Sequence, residues 1–540
     1  MTAADLVIRD ATVHTLDSAR PRATALAVRA GVIVAVGDAG DVRPHTGPRT
    51  EIIDGRGRTV TPGLVDSHQH PLVGVAGERG VDAAGVTTPA GLLDLLREAG
   101  ERLPPDAWVV VTGVEYSALP PQTMHRRLID DAVAGRPAFL WFADAHNALM
   151  SSEGLRRAGI TGPIDFGDRA EIVVDDDGAP TGQLHEMSAV LLGYDTIPPP
   201  GADEFAAAAA RLFEAQAAAG ITGVHVPDLW PGTRQVLDAL DDQGRLPIRV
   251  LLAPWALPAA LDETLDTVRA LHHRDPVRRW RTGAVKFFLD GTIDGGSAWL
   301  HQPDCHGEGT HPVWNDPQRY DAAVRRVVEL GLPCFTHAIG DHAVTHALDA
   351  YQRAGAPRRG RHRIEHAEIL ADADIVRFAE LDVAASMQPT HMDWTLPDHT
   401  DNWSRRLGPD RCRVGWRCAD IVRAGGRVAL GSDWPLATYD PRTVMAGAVL
   451  RRPAGQRDRS PVGEDQALTP VQALAGYTAW AAYGAGEEHL AGRVREGFRA
   501  DLTLFDGDPL ATPPDDLPGL PVAMTIVDGR VAHRAARLRD

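Results

Sequence analysis

The chain has 540 residues, 44% of them hydrophobic and 24% charged, the composition of a globular protein long enough to bury a large core and to exceed one simple domain. Its 55 Lys and Arg face 73 Asp and Glu, a formal charge of −18; that surplus repels phosphate backbones and excludes nucleic acid as an expected partner. Four scattered cysteines with no Cys-x-x-Cys pair support neither a zinc ribbon nor a disulfide framework and fit reduced thiols.

The first residues, Met1 to Arg9, carry an acid where a signal peptide needs a basic and then an apolar run. No apolar stretch approaches the ~20 residues that span a bilayer. A cytoplasmic location without a membrane partner is the default expectation. Leu6–Leu16, Ala25–Arg29 and Val32–Gly37 read as short strands, the last two joined by a tight hairpin at Gly31. Gly63–Asp66 opens a different pattern, continued by Ile221–Val226, Ile248–Leu252, Ala284–Phe288, Pro333–His337, Arg363–His366, Val383–Gln388 and Arg427–Asp433. Helical patterns lie between several of these, most clearly over Asp203–Gln216, which is rich in strong helix formers.

Strand–helix alternation of this kind signals a parallel sheet, and eight strands over roughly 400 residues fit an enlarged (β/α)8 TIM barrel. The interval between the first two barrel strands exceeds any single crossover. Residues 75–200, approximately, are therefore expected to form an inserted subdomain, with turns at Asp175–Gly178 and Ile197–Pro200. After the barrel, Ala500–Gly507 and Met524–Ala532 return to short strands. Neither terminal piece can close its own core, so an α/β fold is expected in which residues 1–61 and 481–540 build one small β-sandwich beside a barrel of residues 62–480.

Polar residues recur at the carboxyl ends of the barrel strands, where barrel active sites are built. His68 and His70 follow the first strand, and a spacing of two at a strand end projects both rings to one side, as paired metal ligands require. His337, His366 and Asp433 end three later strands. Lys286 lies inside the apolar run Val285–Leu289, where a charged amine is costly unless neutralised or used. Each residue also has an ordinary reading: a histidine that packs or faces solvent, an Asp433 that caps a helix, a Lys286 that snorkels. Their convergence on successive strands favours one shared site.

The segments Thr61-Pro-Gly-Leu-Val-Asp-Ser-His-Gln-His70, His337-Ala-Ile-Gly-Asp341, Arg363-Ile-Glu-His-Ala367, Gly431-Ser-Asp-Trp-Pro435 and Gly497-Phe-Arg-Ala-Asp-Leu502 together resemble amidohydrolase family 3, in its N-substituted formamide deformylase-like branch, over nearly the whole chain. The resemblance implies that His68 and His70 ligate one metal, with His337 and His366 on the other side of the site. It implies that Lys286, once carboxylated, bridges two ions, and that Asp433 binds metal and handles the proton of the attacking water. It also places Glu186, His225, Gln388, His391 and Trp434 near the substrate. The segment Asp290-Gly-Thr-Ile-Asp-Gly-Gly-Ser297 departs from the usual family wording, which leaves the substrate contacts of that loop open.

The expected function is metal-dependent hydrolysis of a C–N bond in a small molecule. One or two Zn²⁺ ions are expected, with Mn²⁺, Fe²⁺ or Co²⁺ admissible. Asp433 would act as base and then acid, and His391 would hold the oxyanion. Deamination of a cyclic imine, or hydrolysis of an ester or lactone, would use the same ligands, and a non-catalytic scaffold is a more distant alternative. Trp141, Phe142, Trp299, Trp394, Trp416 and Trp434 are candidates for an apolar wall around an aromatic or alkyl group. A homodimer is the default assembly.

Overall fold

The computed structural model describes residues 3–120, 123–272, 278–356 and 361–536. Eight parallel strands run through its centre: β1 (Leu64–Asp66), β2 (Ile221–Val226), β3 (Arg249–Leu252), β4 (Trp280–Thr282 continued by Val285–Phe288), β5 (Cys334–Ala338), β6 (Arg363–His366), β7 (Ala384–Met387) and β8 (Arg427–Leu430). Each pairs with the next in chain order. β4 is broken at Gly283 and Ala284, so its first part pairs with β3 and its second with β5. The amide of Ser67 donates to the Leu430 carbonyl at 3.0 Å and joins β8 back to β1.

These strands are buried almost throughout because helices cover their outer face, which is why they read as near-continuous apolar runs rather than as alternation. The helix Ala202–Ala218 buries Ala209, Ala210, Phe213 and Ala217 against Ile221 and Val224 of β2. Among the described residues, no helix is long and apolar enough to cross a membrane.

Between β1 and β2 the chain forms a separate six-stranded sheet, in spatial order Glu171–Val174, Pro180–His185, Asn147–Met150, Ala138–Phe142, Val109–Val114 and Val81–Asp82. The first two are joined by the turn at Asp175, whose amide donates to Ala179 O at 2.9 Å. Ala138–Phe142 is fully buried and carries the chain to the cavity described below.

Two further sheets come from the chain ends. One is N-terminal only, in the order Val32–Gly37, Ala25–Arg29, Leu6–Arg9, Glu51–Asp54. The other mixes both ends, with Thr59–Pro62 paired antiparallel to Leu502–Phe505. Ile8, Leu26, Val60, Leu504 and Met524 share one apolar cluster drawn from both sheets. Leu6–Leu16 is not one strand: it divides at Asp10 (φ 57°) into Leu6–Arg9 and Thr12–His14, one on each sheet. A single left-handed residue changes the chain's direction, and a pattern of apolar residues does not reveal it. The hairpin at Ala30 and Gly31 places both residues at positive φ (50° and 76°), the two-residue turn that matches strand twist.

The terminal sheets are fixed to the amino-terminal ends of the barrel strands. Gly63 N donates to Asp501 O at 2.7 Å, and the Thr503 hydroxyl donates to Gly220 O at 2.7 Å. Arg249, first residue of β3, places its Nε 2.7 Å from Asp501 Oδ2 and also bonds Asp528. Replacing Arg249 by methionine would leave Asp501 partly buried without its cation. The expected loss is about 2–4 kcal/mol, read as a lower thermal midpoint; an unchanged midpoint would remove this ion pair from the support of the interface.

Candidate metal centre

The carboxyl ends of β1 and β8 are laced together by backbone. Asp433 N donates to His68 O at 2.7 Å, and His70 N donates to Trp434 O at 2.7 Å. The Asp66 carboxylate accepts from His68 N at 3.1 Å and from Ser432 N at 3.0 Å. Gly431 allows this approach, since a Cβ there would lie 2.6 Å from His68 N. The lacing brings Asp433 against both histidines of the first strand end.

Asp433 then divides its two oxygens between two pairs of rings. Its Oδ1 lies 3.5 Å from His68 Nε2 and 3.4 Å from His70 Nε2. Its Oδ2 lies 3.5 Å from His391 Nε2 and 3.9 Å from His366 Nδ1. The ligand atoms of His68, His70 and Asp433 are all within 4.8 Å of one another, as are those of His366, His391 and Asp433. Imidazole and carboxylate ligands of one ion, each about 2.0–2.2 Å from it, sit at comparable mutual spacing. Among the described residues, His366 Nδ1 and His391 Nε2 are buried without a hydrogen-bond partner, a state that favours an additional bound group.

The remaining ring nitrogens are tied from behind. His68 Nδ1 lies 2.5 Å from Glu365 Oε2, and His70 Nδ1 lies 2.6 Å from Asp228 Oδ2. Those bonds leave each Nε2 facing Asp433, the arrangement in which a carboxylate orients a metal-ligating imidazole. Burial, aided by Lys286, holds His68 down at about 4. Burial also opposes charge on His70, but Asp228 and Asp433 outweigh it and raise that ring to about 9. Burial opposes charge on Asp433 as well, yet the surrounding imidazoles, His68 foremost, keep its carboxyl well below the usual range. His366 and Asp433 adopt positive φ (72° and 57°), a backbone cost that the surrounding bonds sustain.

A cavity open to solvent faces this group. His68, His70, Lys286, His337, His366, His391 and Asp433 all line it. His337 donates from Nε2 to Gly291 O at 3.0 Å, which leaves Nδ1 as its free ring atom. Lys286 is 1% exposed, and burial lowers its amine to about 8 against the opposing pull of Glu365 and Asp433.

The other sequence-derived positions fall behind the wall. His225 bonds Arg363 through Nδ1 at 2.9 Å, and Gln388 is fully buried beside Ser386. Trp434 packs against Gly74, where a Cβ would lie 2.1 Å from its ring. Glu186 bonds His146 Nδ1 at 2.9 Å and reaches the cavity only through that ring. His225 turns to Arg363 on β6, Gln388 to Ser386 on β7, Trp434 to the helix Pro71–Gly77 and Glu186 to His146, and none of the four lines the cavity. Of the proposed aromatic wall, Trp141 and Trp394 line the cavity, whereas Phe142, Trp299 and Trp416 belong to the core. Trp230, Trp255 and Phe288 complete the wall. Asp228, His146 and Glu368 were not anticipated. Asp228 and His146 follow strands just as His68 does, so the strand-end rule, applied to β2 and to the inserted sheet, would have found them.

The N-substituted formamide deformylase of Arthrobacter pascens is 29% identical over 549 aligned residues, covering 97% of each chain. YtcJ of Bacillus subtilis (strain 168), named as an amidohydrolase, is 28% identical over 536, covering 96% of this chain and 98% of its own. The crystal structure of an uncharacterized metal-dependent hydrolase from Pyrococcus furiosus superposes with a TM-score of 0.70 at 25% identity, covering 94% of this chain and 99% of that one. The amidohydrolase family itself matches residues 51–533, and the chain belongs to that family.

Proposed function

We propose that the protein is a metal-dependent hydrolase acting on an amide-type C–N bond of a small molecule. One observation carries this reading: a single buried carboxylate, Asp433, meets a pair of imidazoles with each oxygen, and two of those rings hold an orphaned buried nitrogen. Leaving a buried nitrogen unpaired costs about 1–3 kcal/mol, and a cation shared by the group relieves that cost at both rings. The donor set suits Zn²⁺, with Mn²⁺, Fe²⁺ and Co²⁺ admissible. His68, His70 and Asp433 would hold one ion, and His366 and His391 would complete the site around the second oxygen of Asp433. On this reading His391 serves as a ligand.

A divalent cation there would lower the pKa of water from ~15.7 toward ~7 and make it a nucleophile at neutral pH. Asp433 takes the proton of the attacking water, since its carboxylate is ionised and lies at the centre of the group. Lys286 supports the same centre in carboxylated form. Its amine adds to carbon dioxide, loses one proton and becomes an anionic oxygen donor, which removes the cost of a buried cation. The likeness to N-substituted formamide deformylase favours an amide over a lactone or cyclic imine. The wall of Trp141, Trp230, Trp255 and Phe288 favours a substrate with a flat apolar portion.

Purified protein is expected to carry near-stoichiometric metal, to lose turnover on chelation and to regain it with Zn²⁺, assayed against a panel of amides, imines and lactones. A metal-free protein that turns over its substrate would overturn the proposal. Asp433→Asn is expected to lower kcat by about 10³-fold or more while metal analysis still finds most of the bound ion; undiminished kcat would remove Asp433 from proton transfer.

A further inference from the structure

The inserted subdomain brings a second acid–base pair to the cavity. His146 follows the buried strand Ala138–Phe142, is 5% exposed and lines the cavity beside the metal centre. Its Nδ1 lies 2.9 Å from Glu186 Oε2, and its carbonyl accepts from Glu186 N at 2.8 Å. Glu186 has a φ of +63°, a left-handed conformation that a non-glycine residue rarely adopts and that the two bonds to His146 help sustain. The pair also docks on the barrel. At Gly291, after β4, a Cβ would lie 2.1 Å from Glu186 Oε1 and 2.1 Å from Ser297 Oγ, so a side chain there would push both groups from their places. The carbonyl of the same Gly291 accepts from His337. The His146 ring lies 4.8 Å from that of His337 and 5.7 Å from that of Phe288. With Nδ1 committed to Glu186, Nε2 is the ring atom left to meet a substrate, and it has no hydrogen-bond partner among the described residues.

We propose that His146 is a catalytic residue of this reaction, donating from Nε2 to the nitrogen of the scissile bond and passing its proton there as the bond breaks, with Glu186 as its positioning residue. The inference rests on the amide-hydrolase reading and divides proton transfer between two groups. The attacking water gives one proton to Asp433 and its oxygen to the carbonyl carbon. The C–N bonding pair stays with nitrogen, which takes the proton of His146 and leaves as a neutral amine. Asp433 releases its proton to solvent and His146 regains one from solvent, so one water converts one amide to one amine and one carboxylic acid.

The experiment compares wild type, His146→Gln, His146→Asn and Glu186→Gln, each metal-loaded, on amides whose leaving groups run from alkylamines to nitroanilines. Metal content and thermal midpoint are measured beside kcat/KM. Both His146 variants should lose about 10²–10⁴-fold on alkylamides and less than about 10-fold on nitroanilides, whose weakly basic nitrogen needs less help from an acid. Glu186→Gln should show the same leaving-group pattern at smaller amplitude. Metal content should be unchanged in all three. Equal loss across the series, loss of metal, unfolding of both His146 variants or unimpaired rates would each overturn the role. Wild type that carries metal and hydrolyses no amide overturns the amide reading itself, and the role with it.

Discussion

One carboxylate between four imidazoles is the constraint that the carboxyl face of the barrel serves. Asp433 can meet His68 and His70 with one oxygen and His366 and His391 with the other only if β1 and β8 end at the same height and in the same orientation. Backbone bonds between the two strand ends enforce this, and the Asp66 carboxylate clamps both segments from below. Because the bonds are backbone or buried, Asp433 holds a left-handed φ that a free loop would relax.

Beneath this group lies a buried polar layer. Arg363, fully buried on β6, donates to Glu365 on its own strand, to Ser67 O after β1 and to Ser386 Oγ on β7, and shares a bond with His225 on β2. A guanidinium costs heavily inside a core unless its donors are used, and here they are spent on holding strand ends in register. Glu365 passes that order upward to His68. The Arg363 charge beside it, set against the cost of burial, keeps its carboxyl below the ordinary range. His225 and Gln388 belong to this layer, which explains why they adjoin the site yet do not face it.

The inserted sheet finishes what the barrel leaves open. Ala138–Phe142 ends in Asp144 and His146, and the Asp144 carboxylate is held by Tyr116 and Thr292 at 2.7 and 3.1 Å. Thr292 belongs to the loop after β4, so insertion and barrel share bonds at the cavity rim as well as at Gly291. From Trp141 through Trp230 and Trp255 to Phe288 the rings meet in tilted or edge-to-face pairs with centroids 5.3–6.2 Å apart, an apolar wall that leads to the imidazoles. Trp141 comes from the insertion and the other three from the barrel.

Local pattern determined much of this protein. Helices cover the outer face of the barrel, so apolar runs marked the strands, and the rule that chemistry sits at their carboxyl ends pointed to His68, His70, His337, His366 and Asp433, all of which line one cavity. Lys286 stood out because an amine in an apolar run needs a reason. Tertiary structure alone decided which nitrogen of each ring faces the centre, because that depends on Glu365, Asp228 and Gly291 reaching in from other strands. It alone set His391 beside His366 and Asp433 at the cavity, and turned His225, Gln388 and Trp434 away from it. It also divided the run Leu6–Leu16 at Asp10 between two sheets and brought His146 to the cavity from about 190 residues before His337 in the chain. Periodicity encodes which face of an element is buried; it carries no record of which distant element will lie against that face, and a shared cation site is made of such meetings.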